Sequence, residues 1–241
     1  SNFLVGVNIG PNKDSENRFN DYKVLAENLS EFADYISVNV SSPNTPNLRE
    51  FQKKENLEKV INFVKEGIVK SKTLNKKLPV FLKIAPDINK KALISIIEIA
   101  YSKKIFGLII SNTTSHRDSN LKSKRSYESG GLSGKPLFKK STDILSLANK
   151  IIKNNNYKLF LIAVGGVSDS KTAYIKLLCG AHLIQLYSSL TFEGPLVANK
   201  IICGIHKLMI RDNIDNISDI VGIIDNPEDA MKIANNGFNS H

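Results

Sequence analysis

Tryptophan is absent from the 241 residues, and cysteine and methionine occur only twice each. Two cysteines, Cys179 and Cys203, cannot build a disulfide framework, and without a Cys-x-x-Cys pair no structural zinc site is expected. Both lie in apolar helical patterns, which predicts buried and inert thiols. The four histidines, His116, His182, His206 and His241, lack acidic or cysteine partners at ligand spacing, so no metal is expected. No apolar run approaches the ~18 residues of a membrane-crossing helix. Acidic residues are in deficit, 23 Asp+Glu against 33 Lys+Arg, for a formal net charge of +10. A nucleic-acid face would gather that excess, with aromatics to stack on bases. Here it is scattered over Lys53-Lys54, Lys76-Lys77, Lys103-Lys104, Lys122 to Arg125 and Lys139-Lys140, mostly at expected helix ends and loops. The reading is a solvated basic surface and no nucleic-acid partner.

What is present is a globular composition, 41 % hydrophobic and 23 % charged, in a length that suits one large domain or two small ones. Six short apolar runs lack polar alternation and predict strands covered on both faces: Phe3–Asn8, Tyr35–Val40, Val80–Ile84, Gly107–Ser111, Leu159–Val164 and Leu183–Tyr187. Between them, apolar residues recur every three or four positions. Phe19, Tyr22, Leu25, Leu29 and Phe32 make one helical stripe, Leu57, Val60, Ile61, Val64 and Ile68 another, and Leu93, Ile96, Ile97 and Ala100 a third. Further helices are expected from Ser141 through Ile151, over Lys171–Leu178 with a stop at Gly180, and from Pro195 to Arg211. Strict βα alternation implies a parallel sheet, either doubly wound or a (β/α)₈ barrel. No G-x-G-x-x-G or G-x-x-x-x-G-K-[ST] follows a strand, so a dinucleotide or P-loop fold has no positive support. Polar clusters end almost every strand instead, the pattern of a barrel enzyme whose site is assembled from strand ends.

Those ends are rich in amides. Asn8, Asn39, Asn44 and Asn112 each offer a donor and an acceptor, suited to the edge of an imide-bearing ring such as a pyrimidine or an isoalloxazine. Any one of them is most simply a turn former; four on successive strand ends point to a ligand. Lys83 lies inside an apolar run, where an ammonium needs an anion, an electron-rich ring or a buried carboxylate. Gly165-Gly166, followed by Ser168-Asp169-Ser170 at a helix start, suits a phosphate, although a tight turn alone would explain it. Gly130-Gly131-Leu132-Ser133-Gly134-Lys135-Pro136 is a second glycine-rich loop that could close over the same group.

Taken together, Asn39 to Pro46, Lys83 to Asp87, Ser111 to Thr114, Gly130 to Leu137, Val164 to Val167 and Gln185 to Ser188 resemble class 2 dihydroorotate dehydrogenase, in order and spacing across nearly all of residues 3–195. That family is FMN-dependent, quinone-linked and part of pyrimidine synthesis. The resemblance implies a TIM-type (β/α)₈ barrel, with about six of its eight βα units in residues 1–212; residues 213–241 run beyond the family's usual end and are expected as a C-terminal helical extension with no assigned role. It makes Asn8, Asn39, Lys83, Ser111, Gly134, Gly165, Gly166, Tyr187 and Ser188 FMN contacts. It makes Asn39, Asn44, Asn112 and Thr113 binders of dihydroorotate or orotate. Ser42 becomes the base that removes the C5 proton as C6 delivers hydride to flavin N5, with Thr45 as a relay and Lys83 stabilising charge near flavin N1. Class 1 members carry Cys at the base position, so Ser42 favours class 2. Residues Pro43–Glu50 read as a lid over the substrate.

Several features depart from the family pattern. Two strands, a substrate loop and the helical pair at the quinone entrance precede the first strand in the family and have no counterpart here. The opening Ser1-Asn2-Phe3-Leu4-Val5 therefore predicts that the chain is part of a longer protein, with quinone and membrane contacts outside it. A mitochondrial inner-membrane location follows only from the resemblance to eukaryotic members. Asn47 stands where the family usually has Gly, which positive φ at Asn would tolerate. Two other readings remain open at this point. One is a non-catalytic barrel fragment or scaffold that needs upstream residues to hold FMN. The other is a phosphate-binding barrel isomerase, which leaves Ser42, Asn44 and Lys83 unexplained.

Overall fold

The structure is a computed structural model describing residues 3–71, 77–119 and 121–238; Ser1, Asn2, Lys76 and His241 lie outside the described residues. The apolar runs form six parallel strands, β1 (Gly6–Ile9), β2 (Tyr35–Asn39), β3 (Val80–Ile84), β4 (Gly107–Ile110), β5 (Phe160–Val164) and β6 (Leu183–Gln185). Each pairs with its successor, so spatial order equals sequence order from β1 to β6. Helices α1 (Arg18–Leu29), α2 (Lys54–Lys70), α3 (Lys90–Ser102), α4 (Phe138–Asn154) and α5 (Ser170–Leu178) make the successive crossovers. After β6 come a short α6 (Ser188–Glu193), then α7 (Val197–Arg211) and α8 (Pro227–Asn236). This is the wall of a parallel β/α barrel with six units, an open arc among the described residues.

The pleat sorts the strands into two faces. Val38, Leu82, Ile84, Leu108, Ile110, Leu161 and Ala163 turn outward and join the helices' apolar stripes in the main core. Burying one such Leu or Ile contributes roughly 1.5–3 kcal/mol, so this outer layer dominates stability. Inward positions form a smaller cluster, Phe81, Ile109 and Ile162 with Tyr35, Phe160 and Val164 packed on it. The register places Asn39 beside Lys83 and Lys83 beside Ile109, so polar groups begin where that inner cluster ends. Helix starts are fixed locally: Asn17, Asn89 and Asn226 accept backbone N–H groups of the first turn, and Asp169 with Thr172 forms a reciprocal capping box.

Several expectations shift. The first strand starts at Gly6, because Val5 pairs instead with Asp34, through N–H to the carboxylate at 2.8 Å and by accepting the Asp34 N–H at 2.7 Å. The stripe through Phe32 stops at Leu29; Ser30–Phe32 tightens into a 3₁₀ turn and leaves Phe32 exposed. The last strand ends at Gln185, two residues early, and the helix expected from Pro195 begins at Val197. Cys179 is buried, but Cys203 is exposed. Helix α7 buries Val197, Ile201 and Ile205, and Cys203 falls off that stripe.

The segment after Arg211 lies against α4 and α5. Gly222 and Ile224 donate N–H to the Leu177 and Leu178 carbonyls at 3.0 and 3.1 Å, and α8 buries Ala230 and Ala234. No helix among the described residues is long and apolar enough to cross a membrane.

Candidate active site

The strand C-termini surround a cavity of about 470 Å³, within the ordinary range of small-molecule sites. Lys83 lines it from β3, and Ser111, Asn112 and Thr113 from the end of β4. Gly165 and Gly166 line it after β5, Tyr187 and Ser188 after β6, and Gly134 from the β4–α4 loop. Nine of the residues expected at a site thus share one cavity. Ser133 and Lys135 of the second glycine-rich loop also line it, as do Phe192 and Glu193, which sequence reasoning did not single out.

The Lys83 ammonium makes no hydrogen bond or ion pair to any described residue, so the buried-carboxylate explanation for its position is not realised. Burial draws its pKa below the usual lysine value. Ser189 Oγ is buried without a hydrogen-bond partner in the same wall. Gly166 has φ +77°, and a Cβ there would lie 2.4 Å from Phe138 Cα at the start of α4. Only glycine lets the β5–α5 turn sit so close to α4 with its backbone along the cavity. Ser188 Oγ donates to Ser133 Oγ at 2.9 Å, joining the turn after β6 to the β4–α4 loop.

The amides form a network beside this cavity. Asn112 Nδ2 donates to Asn39 Oδ1 at 3.2 Å and to Ser41 Oγ at 3.1 Å, while Ser41 Oγ donates to the Lys83 carbonyl at 2.5 Å. Asn39 does not line the cavity itself but is held against Asn112, which does. Asn8 is exposed on β1, accepts from Ser37 Oγ at 2.9 Å, and lies outside the cavity lining.

Ser42, Asn44 and Thr45 lie on the β2–α2 loop, also outside the cavity lining. Asn44 Oδ1 accepts the Gly131 N–H at 3.0 Å, and a Cβ on Gly131 would meet Thr113 Oγ1 at 2.0 Å, so the two loops close over Thr113. Ser42 Oγ accepts the Asn44 N–H at 3.3 Å. No hydrogen bond joins Ser42 to Thr45 among the described residues. Asn47 has φ 57°, the left-handed conformation expected of an Asn in place of Gly.

The clamp on this loop was not legible in the sequence. Arg49 donates to Asp87 Oδ2 at 2.9 Å, the Thr113 carbonyl at 3.0 Å, Ser115 Oγ at 3.1 Å and the Ser41 carbonyl at 3.2 Å. Asp87 also accepts from Lys140 Nζ at 2.6 Å, Thr114 Oγ1 at 2.5 Å and the Ser115 N–H at 3.0 Å. Burial alone would raise the Asp87 pKa; bonds from Lys140, Thr114, Ser115 and Arg49 reverse that and hold it far below the carboxylate range. Arg49 and Asp87 are 38 residues apart, and no local pattern links them.

A parallel β/α-barrel wall with a glycine turn, an unpaired ammonium and an amide network gathered at its strand C-termini defines a barrel protein with its ligand site on that face. The chain belongs to the dihydroorotate dehydrogenase family: residues 2–209 match that family. A protein of Agrobacterium fabrum named dihydroorotate dehydrogenase (quinone) is 43 % identical over 218 residues, covering 90 % of this chain and 59 % of the relative. One of the same name from Bartonella tribocorum is 43 % identical over 220 residues, with 90 % and 59 % covered. Among solved structures, a DHODH of Eimeria tenella in complex with ferulenol is 31 % identical with a TM-score of 0.85, over 91 % of this chain and 62 % of that one. The ligand-free form from the same organism gives 32 % and 0.86. The chain thus spans about three-fifths of the length of the relatives it matches. Those curated relatives are bacterial, so they lend no support to the mitochondrial expectation.

Proposed function

We propose that this chain forms the flavin- and substrate-binding face of a dihydroorotate dehydrogenase. In this reading FMN takes the cavity, dihydroorotate takes the amide network beside it, and a quinone is the final electron acceptor, as in the names of the bacterial relatives. The observation that carries the reading is the cavity itself, where an ammonium without a protein partner and a positive-φ glycine turn face the same space.

The residues present suit FMN. Gly165 and Gly166 offer close backbone approach to a phosphate, with Gly134, Tyr187 and Ser188 along the same wall. The unpartnered Ser189 hydroxyl leaves one further polar group for a ligand. Lys83 and Ser111 face the part of the cavity next to Asn112, where the flavin ring would meet the substrate amides. Asn8, exposed and bonded to Ser37, stays in the proposal as a more distant contact. When bound, FMN accepts the hydrogen at C6 of dihydroorotate together with its electron pair.

The protein supplies the rest. Asn39, Asn44, Asn112 and Thr113 hold the pyrimidine by its imide and carboxylate edges. Ser42 takes the C5 proton, and the C5–H electron pair becomes the new C5–C6 π bond of orotate. As it does so, Ser42 gives up its own hydroxyl proton to the relay, and the Asn44 N–H directed at Ser42 Oγ holds that oxygen in place. Thr45, on the same loop, passes the proton toward water. Lys83 stabilises negative charge developing on the ring it faces, with no proton transfer of its own.

Anaerobic stopped-flow tests this directly. Adding dihydroorotate to flavin-loaded protein should bleach the flavin band, and Ser42→Ala should slow bleaching by about 10²-fold or more, the scale of general-base loss. Bleaching at the normal rate in Ser42→Ala would remove Ser42 from that role.

A further inference from the structure

Lys176, on α5, is the largest charged side chain wholly buried in the described structure, at 0 % exposure. It has no carboxylate within ion-pair distance among the described residues. Its Nζ donates to Ser141 Oγ at 2.7 Å and stands 5.0 Å from the centre of the Phe138 ring. Ser141 in turn donates to the Gly165 carbonyl at 2.9 Å, or to the Phe138 carbonyl at 3.0 Å. These two α4 residues are the floor of the glycine turn. A Cβ on Gly165 would meet Ser141 Oγ at 3.0 Å, and one on Gly166 would meet Phe138 Cα at 2.4 Å. A lone buried amine therefore lies one hydroxyl away from the turn that lines the cavity.

We propose that Lys176 is a positioning residue and counter-cation for an anionic ligand group at the Gly165–Gly166 turn, acting through the Ser141 hydroxyl. The inference rests on the reading above, in which that group is the phosphate of FMN. A hydroxyl has one proton, and an ammonium can only donate. With Lys176 charged, Ser141 must accept from it and spend its own proton on a carbonyl, which fixes the turn. With Lys176 neutral, Ser141 can donate to the amine instead and release the Gly165 carbonyl. The positive charge also lies behind the turn, where it favours an anion in front.

Burial brings the Lys176 pKa down to about 7, with the Asp143 carboxylate on α4 a smaller upward push. The Cys179 thiol is itself pushed up to about 12 by burial, so it stays neutral and gives Lys176 no anionic partner. The switch in hydrogen bonding therefore falls in the neutral range. Linkage is reciprocal: an anion on the turn raises the Lys176 pKa, and binding near pH 7 takes up a proton.

Two measurements test this. The first needs no flavin: the Gly165 and Gly166 amide resonances are followed from pH 6 to 8.5 in the wild-type chain and in Lys176→Met. A titration near pH 7 that disappears in the variant is expected; amides that do not move in the wild type would overturn the proposal. The second compares FMN with riboflavin, which lacks the phosphate, by fluorescence quenching at pH 6. Lys176→Met should weaken FMN about tenfold and riboflavin less than twofold, with Ser141→Ala shifting FMN in the same direction. Equal losses for both flavins, or none, would contradict it. If Lys176→Met does not fold, the wild-type amide titration and Ser141→Ala still decide. Wild-type protein that titrates at the turn yet ignores FMN would sink the flavin reading and leave the Lys176 linkage standing.

Discussion

Two lysines at the residue scale, one half-buried and one wholly buried, show how differently an enclosed ammonium can be used. Lys83 faces the cavity without a partner, and its apolar flanks made it conspicuous in the sequence. Replacing it with Met keeps the volume and removes the charge; flavin reduction by dihydroorotate should slow by about 10²-fold or more if it stabilises developing charge. A normal rate in stopped-flow would assign Lys83 to binding alone. Lys176 sat in an unremarkable α5 pattern, and nothing local announced that its head group would be enclosed. Its folded pKa of about 7 lies below the unfolded lysine value, so the unfolded chain binds the extra proton above pH 7. Stability should therefore rise as pH goes from 7 to 8.5. Denaturant melts across that range should show the rise in wild type and a flatter profile in Lys176→Met. The asparagines were legible as a set because they recur at strand ends. That Asn39 would lean on Asn112 and Asn8 on Ser37 needed the pairing of distant strands.

At the scale of elements, β3 and α5 were readable to within a residue, since the apolar run of β3 and, for α5, the apolar pattern with its stop at Gly180 were plain in the sequence. The β2–α2 loop reads as a lid by composition, but its fastening was not legible. Arg49 holds it from within, Leu48 and Phe51 bury beneath it, and Arg18 donates to the Pro46 carbonyl at 2.6 Å. Arg49→Ala should cost about 1–3 kcal/mol by leaving the Ser41 and Thr113 carbonyls and Asp87 short of donors. It should also make Pro43–Glu50 a new site of limited proteolysis; unchanged melting and cleavage would show the clamp to be ornamental. Asp87 gives the clamp a pH dependence. Its folded pKa is depressed, so its contribution is present above the ordinary carboxylate pKa of about 4 and is lost as pH falls below that. Asp87→Asn should be less stable than wild type at pH 7 and should converge with it in acid.

The described residues form an arc of six βα units whose outer layer is a continuous core and whose inner layer is small. Parallel alternation made this architecture legible, because strands buried on both faces read as unbroken apolar runs. The tail was less so: Ala230 and Ala234 are small, and their burial against the outer helices carries little sequence signal. The proposed function turns on flavin binding in the strand-end cavity of this arc. Titrating FMN into the purified chain and following quenching of its fluorescence tests that most directly. Saturable quenching is predicted for the wild type, and a sharp loss for Gly166→Leu, whose side chain would drive into the start of α4. Fluorescence that stays unquenched at saturating protein, or quenching indifferent to Gly166→Leu, would contradict it.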